Sequence, residues 1–200
     1  MDVTADEQFM VYSSIDPYVR LVDLDTMRRK QEFIDLTAGR SDTGYGRPAI
    51  MSLKLTDDGK EVLVGTKGAH LAVYDLVANR LVTNVGGCHT DEINSVCFAN
   101  RQHSNIIFSG SDDGLVKLWD RRALSSNRPA GVFVGHAEGI TNVASKGDGI
   151  YLASNGKDQL LKVWDIRQAV SYDKFRNMQL PQQEPGFNYS YGSKYRHLYR

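Results

Sequence analysis

Ile107–Arg122, IFSGSDDGLVKLWDRR, is repeated 45 positions later by Leu152–Arg167, LASNGKDQLLKVWDIR. Ser109 aligns with Ser154, Asp113 with Asp158, Trp119 with Trp164, Asp120 with Asp165 and Arg122 with Arg167. Matches of these residue types at one fixed offset are not a chance pattern. A period near 45 that closes on Trp-Asp predicts four-stranded propeller blades, and so an all-β fold.

That period serves as a ruler for the rest of the chain. Residues 1–36 read as a partial blade, with Phe9–Ser13 and Tyr18–Asp23 alternating apolar and polar residues around a Ser-Ile-Asp-Pro turn. Asp16 stands six positions before Val22, as Asp113 stands six before Trp119. An opening strand is not expected, because Met1 falls where that strand ought to end. Residues 49–85 form a degenerate blade in which Tyr74 takes the place of Trp. Residues 86–134 and 135–167 form the two blades with complete repeats, and the Asp113-Gly114 hairpin places glycine where φ turns positive. Thr37–Pro48 is a turn-rich connection. Residues 168–200 read as a Tyr-rich, basic loop or tail without strand or helix periodicity. Its aromatics beside basic groups could stack on single-stranded nucleic acid; the plainer reading is an unfinished loop whose partner surface is absent.

Composition removes several function classes. With 41% apolar and 24% charged residues the chain is globular, and 24 basic residues balance 24 acidic ones. No net field draws it to nucleic acid or to acidic lipid. No apolar run is long enough for a membrane helix, and MDVTADEQ lacks the form of a secretory signal. Only Cys88 and Cys97 occur, which suits a reducing compartment, and without a secretory signal the glycosylation triplet Asn188-Tyr189-Ser190 is taken as accidental.

His89, Ser109 and Asp113 resemble a catalytic triad, and His136, Ser154 and Asp158 repeat it. A nucleophilic site needs one such set in a cleft, whereas this one recurs and travels with Trp119 and Trp164. The expectation is a structural hydrogen-bond chain that satisfies each buried indole N–H. Cys88, His89 and Cys97 match no zinc spacing, and Gly39, Gly44 and Gly46 lack the Lys-Ser/Thr of a phosphate loop. No metal, cofactor or enzyme activity is expected.

Arg122 and Arg167 are left over, because a blade does not require arginine two places after Trp-Asp. They are either solvated surface charges or matched guanidinium groups on one face of neighbouring blades.

Ile107–Arg122 and Leu152–Arg167 both carry Asp at the seventh place and end in Trp-Asp-x-Arg. In this they resemble the box of WD-repeat substrate receptors of cullin-4 RING ubiquitin ligases. The resemblance covers roughly residues 3–170. It implies a non-catalytic receptor in which Asp120, Arg122, Asp165 and Arg167 bind the propeller adaptor, with cullin-4 held indirectly and a protein substrate presented for proteasomal degradation. Members of this group act on a stress-response leucine-zipper transcription factor, which implies such a target and a nuclear and cytoplasmic location. The rival is a generic WD-repeat scaffold unrelated to ubiquitin. Family propellers have about seven blades. About three blades and a partial one are legible here, so an incomplete propeller, from a fragment or short isoform, is expected.

Overall fold

A computed structural model describes residues 1–14, 16–26, 29–35, 49–100 and 105–178, with the strand path alone for 29–35. The whole Thr37–Pro48 connection, Asn188 and the tyrosines from Tyr189 onward lie outside the described residues.

Strands form between turns, some as alternating apolar and polar residues and the central ones of blades two and three as nearly continuous buried runs, and they pair in sequence order as antiparallel meanders. Blade one holds β1 (Asp2–Val3), β2 (Phe9–Ser13), β3 (Tyr18–Asp23) and β4 (Arg29–Asp35). Blade two holds β5 (Ile50–Leu55), β6 (Glu61–Thr66), β7 (Leu71–Asp75) and β8 (Arg80–Val85). Blade three holds β9 (Ile93–Phe98), β10 (Ile106–Ser111), β11 (Val116–Asp120) and β12 (Gly131–Phe133). Blade four has three described strands, β13 (Ile140–Ser145), β14 (Tyr151–Gly156) and β15 (Leu161–Asp165).

Two expectations from the sequence are corrected. The opening strand of blade one is present: β1 pairs Asp2 with Val11 and Val3 with Met10. Two residues suffice because Thr4 Oγ1 closes the next turn onto Asp6 and Phe9, and Asp2 Oδ2 accepts from Leu55 N of blade two at 2.8 Å. Secondary structure also continues past Arg167. Val132 and Val170 bridge through both backbone bonds, and a five-residue helix, α1 (Tyr172–Arg176), follows. It is too short to show a helical period. Arg128 holds it by pairing with Asp173 and lying 5.6 Å from the Tyr172 ring centroid.

The core lies between blades rather than inside one shell. Val11 and Val19 meet Ile50, Leu53 and Val62; Leu63, Leu71 and Val73 meet Ile93, Val96 and Ile107; Phe108, Val116 and Leu118 meet Ile140, Val143 and Leu152. Inner strands are also stitched by serine, since Val96 N donates to Ser52 Oγ at 3.1 Å and Val143 N to Ser95 Oγ at 3.0 Å. The close approach needs glycine. A Cβ on Gly65 would lie 2.7 Å from Ile93 Cγ2, and one on Gly110 would lie 2.5 Å from Ile140 Cγ2. The next position in that register is Asn155, on the last described blade, where no such approach occurs. Leu161 and Val163 are correspondingly 71% and 68% exposed, whereas Val116 and Leu118, 45 positions earlier, are 0% and 7%.

Candidate functional site

His89 lies in the loop entering blade three, Ser109 on β10, Asp113 in the hairpin and Trp119 on β11. The Trp119 indole N–H donates to Ser109 Oγ at 2.8 Å, His89 Nε2 lies 2.7 Å from the same Oγ, and His89 Nδ1 lies 2.7 Å from Asp113 Oδ2. One proton arrangement satisfies every member: Trp donates to Ser, Ser to Nε2, and Nδ1–H to the carboxylate. Thr90 N and Leu115 N complete the acceptor shell of Asp113. Blade four repeats the chain with Trp164 to Ser154 at 2.7 Å, Ser154 to His136 at 2.8 Å and His136 to Asp158 at 2.8 Å.

This geometry disfavours nucleophilic chemistry. Ser109 is 0% and Ser154 1% exposed, so neither oxygen can meet a substrate, and each proton is already committed. Burial holds both histidines below their ordinary value, against the pull of Asp113 and Asp158, which keeps the rings neutral. For Asp113 burial acts upward but His89 and Lys117 outweigh it, and the carboxyl stays ionised.

One residue outside the sequence reading, Lys117, adds to the site. Lys117 is buried on β11, its Nζ donates to Cys88 O at 2.7 Å and lies 6.0 Å from the Trp119 ring, and burial lowers its pKa. Cys88 and Cys97 are free and buried, and burial pushes their thiols up to about 11 and about 12. Among the described residues no group of three or more His, Cys, Asp or Glu could hold a metal ion. In blade one Asp16 keeps its hairpin position but pairs with Arg20 at 2.5 Å instead of a histidine. In blade two the Tyr74 hydroxyl bonds Asn79 locally, and Val64 occupies the register position of Ser109.

The two arginines share one arrangement. Asp120 caps the 3₁₀ turn Arg121–Ser126 by accepting from Arg122 N at 3.0 Å, and it takes the Arg122 fork through Nε at 2.9 Å and Nη2 at 2.6 Å. Asp165 caps Ile166–Gln168 with Arg167 N at 3.0 Å and takes the Arg167 fork at 2.9 and 2.5 Å. The side chains of Arg122 and Arg167 are 74% and 67% exposed. Each guanidinium holds its Asp below the usual carboxylate range, and each Asp raises its Arg.

Between blades two and three lies an ion pair that no motif announces. Arg121 forks onto Glu61 of blade two, with Nη1 to Oε2 at 2.5 Å, and both side chains are largely shielded. At the corresponding positions of the next pair of blades stand Ile106 and Ile166, which pack on one apolar cluster. A charged and an apolar solution thus occupy one inter-blade position, which explains why no single pattern marks it.

The WD domain, G-beta repeat pattern matches residues 81–120 and 127–165. The LEC14B protein of Lithospermum erythrorhizon is 40% identical over 177 residues, covering 84% of this chain and 37% of the relative. The DDB1- and CUL4-associated factor 11 homolog of Caenorhabditis elegans is 43% identical over 137 residues, covering 68% of this chain and 23% of the relative. The chain therefore spans well under half of these relatives. A chain of a solved structure, the crystal structure of the mitotic checkpoint complex, superposes with a TM-score of 0.68 at 20% identity over 85% of this chain and 47% of that one. That likeness supports the propeller fold alone. With two matched repeats in a stack of meander blades, the chain carries WD40 repeats and has homologues named DDB1- and CUL4-associated factor 11 and LEC14B.

Proposed function

We propose that this chain is part of a non-catalytic substrate receptor of a CUL4 ubiquitin ligase, docking to the DDB1 adaptor through Arg122 and Arg167. One observation carries the reading: two exposed Asp–Arg forks of the same geometry on consecutive blades of a chain whose homologue is named for DDB1 and CUL4. Folding does not need those guanidinium groups at the surface. Asp120 and Asp165 fix each fork before contact, so little side-chain entropy remains to be lost on docking. Interface hot spots are rich in such pre-oriented arginines. The target on this reading is a protein, a stress-response leucine-zipper factor by the family resemblance, met in nucleus or cytoplasm.

Co-purification of DDB1 with wild type and with Arg122→Ala plus Arg167→Ala tests the reading. Loss of DDB1 with an unchanged melting temperature is expected, and equal recovery overturns it. The rival is a generic WD-repeat scaffold. It is favoured by the closure of each arginine on its own Asp, which surface ion pairs achieve without any partner. Equal recovery in the same experiment is its outcome.

A further inference from the structure

The register that places Arg122 and Arg167 also places two residues the docking reading does not use. Two positions after the Asp that closes each third strand stand Asp25, Val77, Arg122 and Arg167, one per blade. In all four blades that Asp caps the turn alike. Asp23 Oδ1 accepts from Asp25 N at 3.0 Å and Asp75 Oδ1 accepts from Val77 N at 2.9 Å, as Asp120 and Asp165 do for the arginines. The four side chains therefore leave the backbone from one repeated position on the same side of the stack.

Neighbours in this row are physically joined. Arg121, beside Arg122, forks onto Glu61, and Glu61 pairs across its sheet with Asp75, which caps the Val77 turn. Ile166, beside Arg167, and Ile106, opposite Asp120, pack on one cluster. Val77 is 74% exposed and adds nothing to any core cluster of the described residues. A single exposed valine is ordinary; here it stands next in line to two matched cations.

We propose that the DDB1 footprint extends onto blade two, with Val77 as its apolar contact beside Arg122. This rests on the docking reading above. The partner surface is acidic opposite Arg122 and Arg167 and apolar opposite Val77. An apolar contact there excludes water from the adjoining charge pair and so strengthens it. Asp25 carries the wrong sign for an acidic surface and ends the footprint at blade one.

Binding of purified DDB1 to the 200-residue chain, followed by interferometry, tests the extension. Val77→Asp is expected to weaken binding about tenfold or more and Val77→Ala about threefold, as truncating a modest interface contact does. Val82→Asp, on the outer strand β8 where Val82 is 42% exposed, should bind as wild type. Thermal melts confirm that each variant folds. If Val77→Asp binds as wild type while Arg122→Ala plus Arg167→Ala does not, the extension is overturned and the docking reading stands. If Val82→Asp weakens binding as much as Val77→Asp, the effect is not local and the extension is overturned. If neither the arginine variant nor Val77→Asp changes binding, or wild type does not bind, both readings fall together.

Discussion

The Trp119 indole N–H donates to Ser109 Oγ across 2.8 Å in a position no solvent reaches. That bond ties β11 to β10, and the His89 contact on the same oxygen ties both to the loop entering the blade. Removing Ser109 Oγ would leave a buried indole N–H and a buried imidazole nitrogen without partners. Ser109→Ala is therefore expected to cost about 2 kcal/mol in a urea unfolding experiment. Ser154→Ala should cost less, near ~1 kcal/mol, because Trp164 is only partly buried. An unchanged midpoint for Ser109→Ala would show that water replaces the hydroxyl and that the chain is not structural.

The same network sets a pH dependence. Burial depresses His89 and His136 below the ordinary 6.5, with Asp113 and Lys117 facing the first ring and Asp158 and Lys162 the second. Below 6.5 the unfolded chain takes up protons that the folded chain refuses, so stability falls with falling pH. The contribution is full above 6.5 and is lost as pH drops towards the folded values. Asp113, lowered from 3.8, stays ionised throughout this window and adds no slope. The urea midpoint should thus be lower at about pH 5.5 than at about pH 7.5. The difference should shrink when His89 and His136 are both changed to Asn. A midpoint that rises on acidification contradicts the neutral-histidine arrangement.

Much of this was legible in the sequence, and the limits have physical causes. The all-β propeller followed from the 45-residue offset, because Trp119 and Trp164 recur only if strands recur. Hairpins were harder to read. Ala69, Gly114 and Gln159 share one hairpin position with φ of +56°, +77° and +62°, and only the glycine advertises it. β1 escaped notice because two residues carry no alternation, and its role depends on Asp2 reaching Leu55. The arginine positions were visible, but their closure on Asp120 and Asp165 was not, since a fork two residues long follows from cap geometry rather than spacing. Glu61 and Arg121 were invisible because sixty residues separate them.

That distant pair makes its own prediction. Glu61 and Arg121 are 20% and 17% exposed, which screens their attraction less than at a fully solvated surface. A double-mutant cycle with Glu61→Ala and Arg121→Ala should return a coupling of about 1 kcal/mol, above the median for surface pairs. Additive single effects would mean that the fork contributes nothing beyond its separate halves. The cycle also isolates the seam between blades two and three, because the neighbouring seam uses Ile106 and Ile166 instead.

One substitution placed at equivalent positions of two blades separates burial from register. Val116 and Leu161 stand 45 positions apart on the third strands of blades three and four, with 0% and 71% exposure. Val116 packs in the cluster that includes Ile140 and Val143 of blade four, whereas no described blade covers Leu161. Val116→Asp would bury a carboxylate without a partner and should destabilise the fold by about 4 kcal/mol or more, enough to unfold a marginal stack. Leu161→Asp should change stability by no more than about 0.5 kcal/mol, since an aspartate there remains in water. Thermal melts of the two variants check this directly. If Leu161→Asp proves as damaging as Val116→Asp, that flank of blade four is covered in solution, and the end of the stack is not open there.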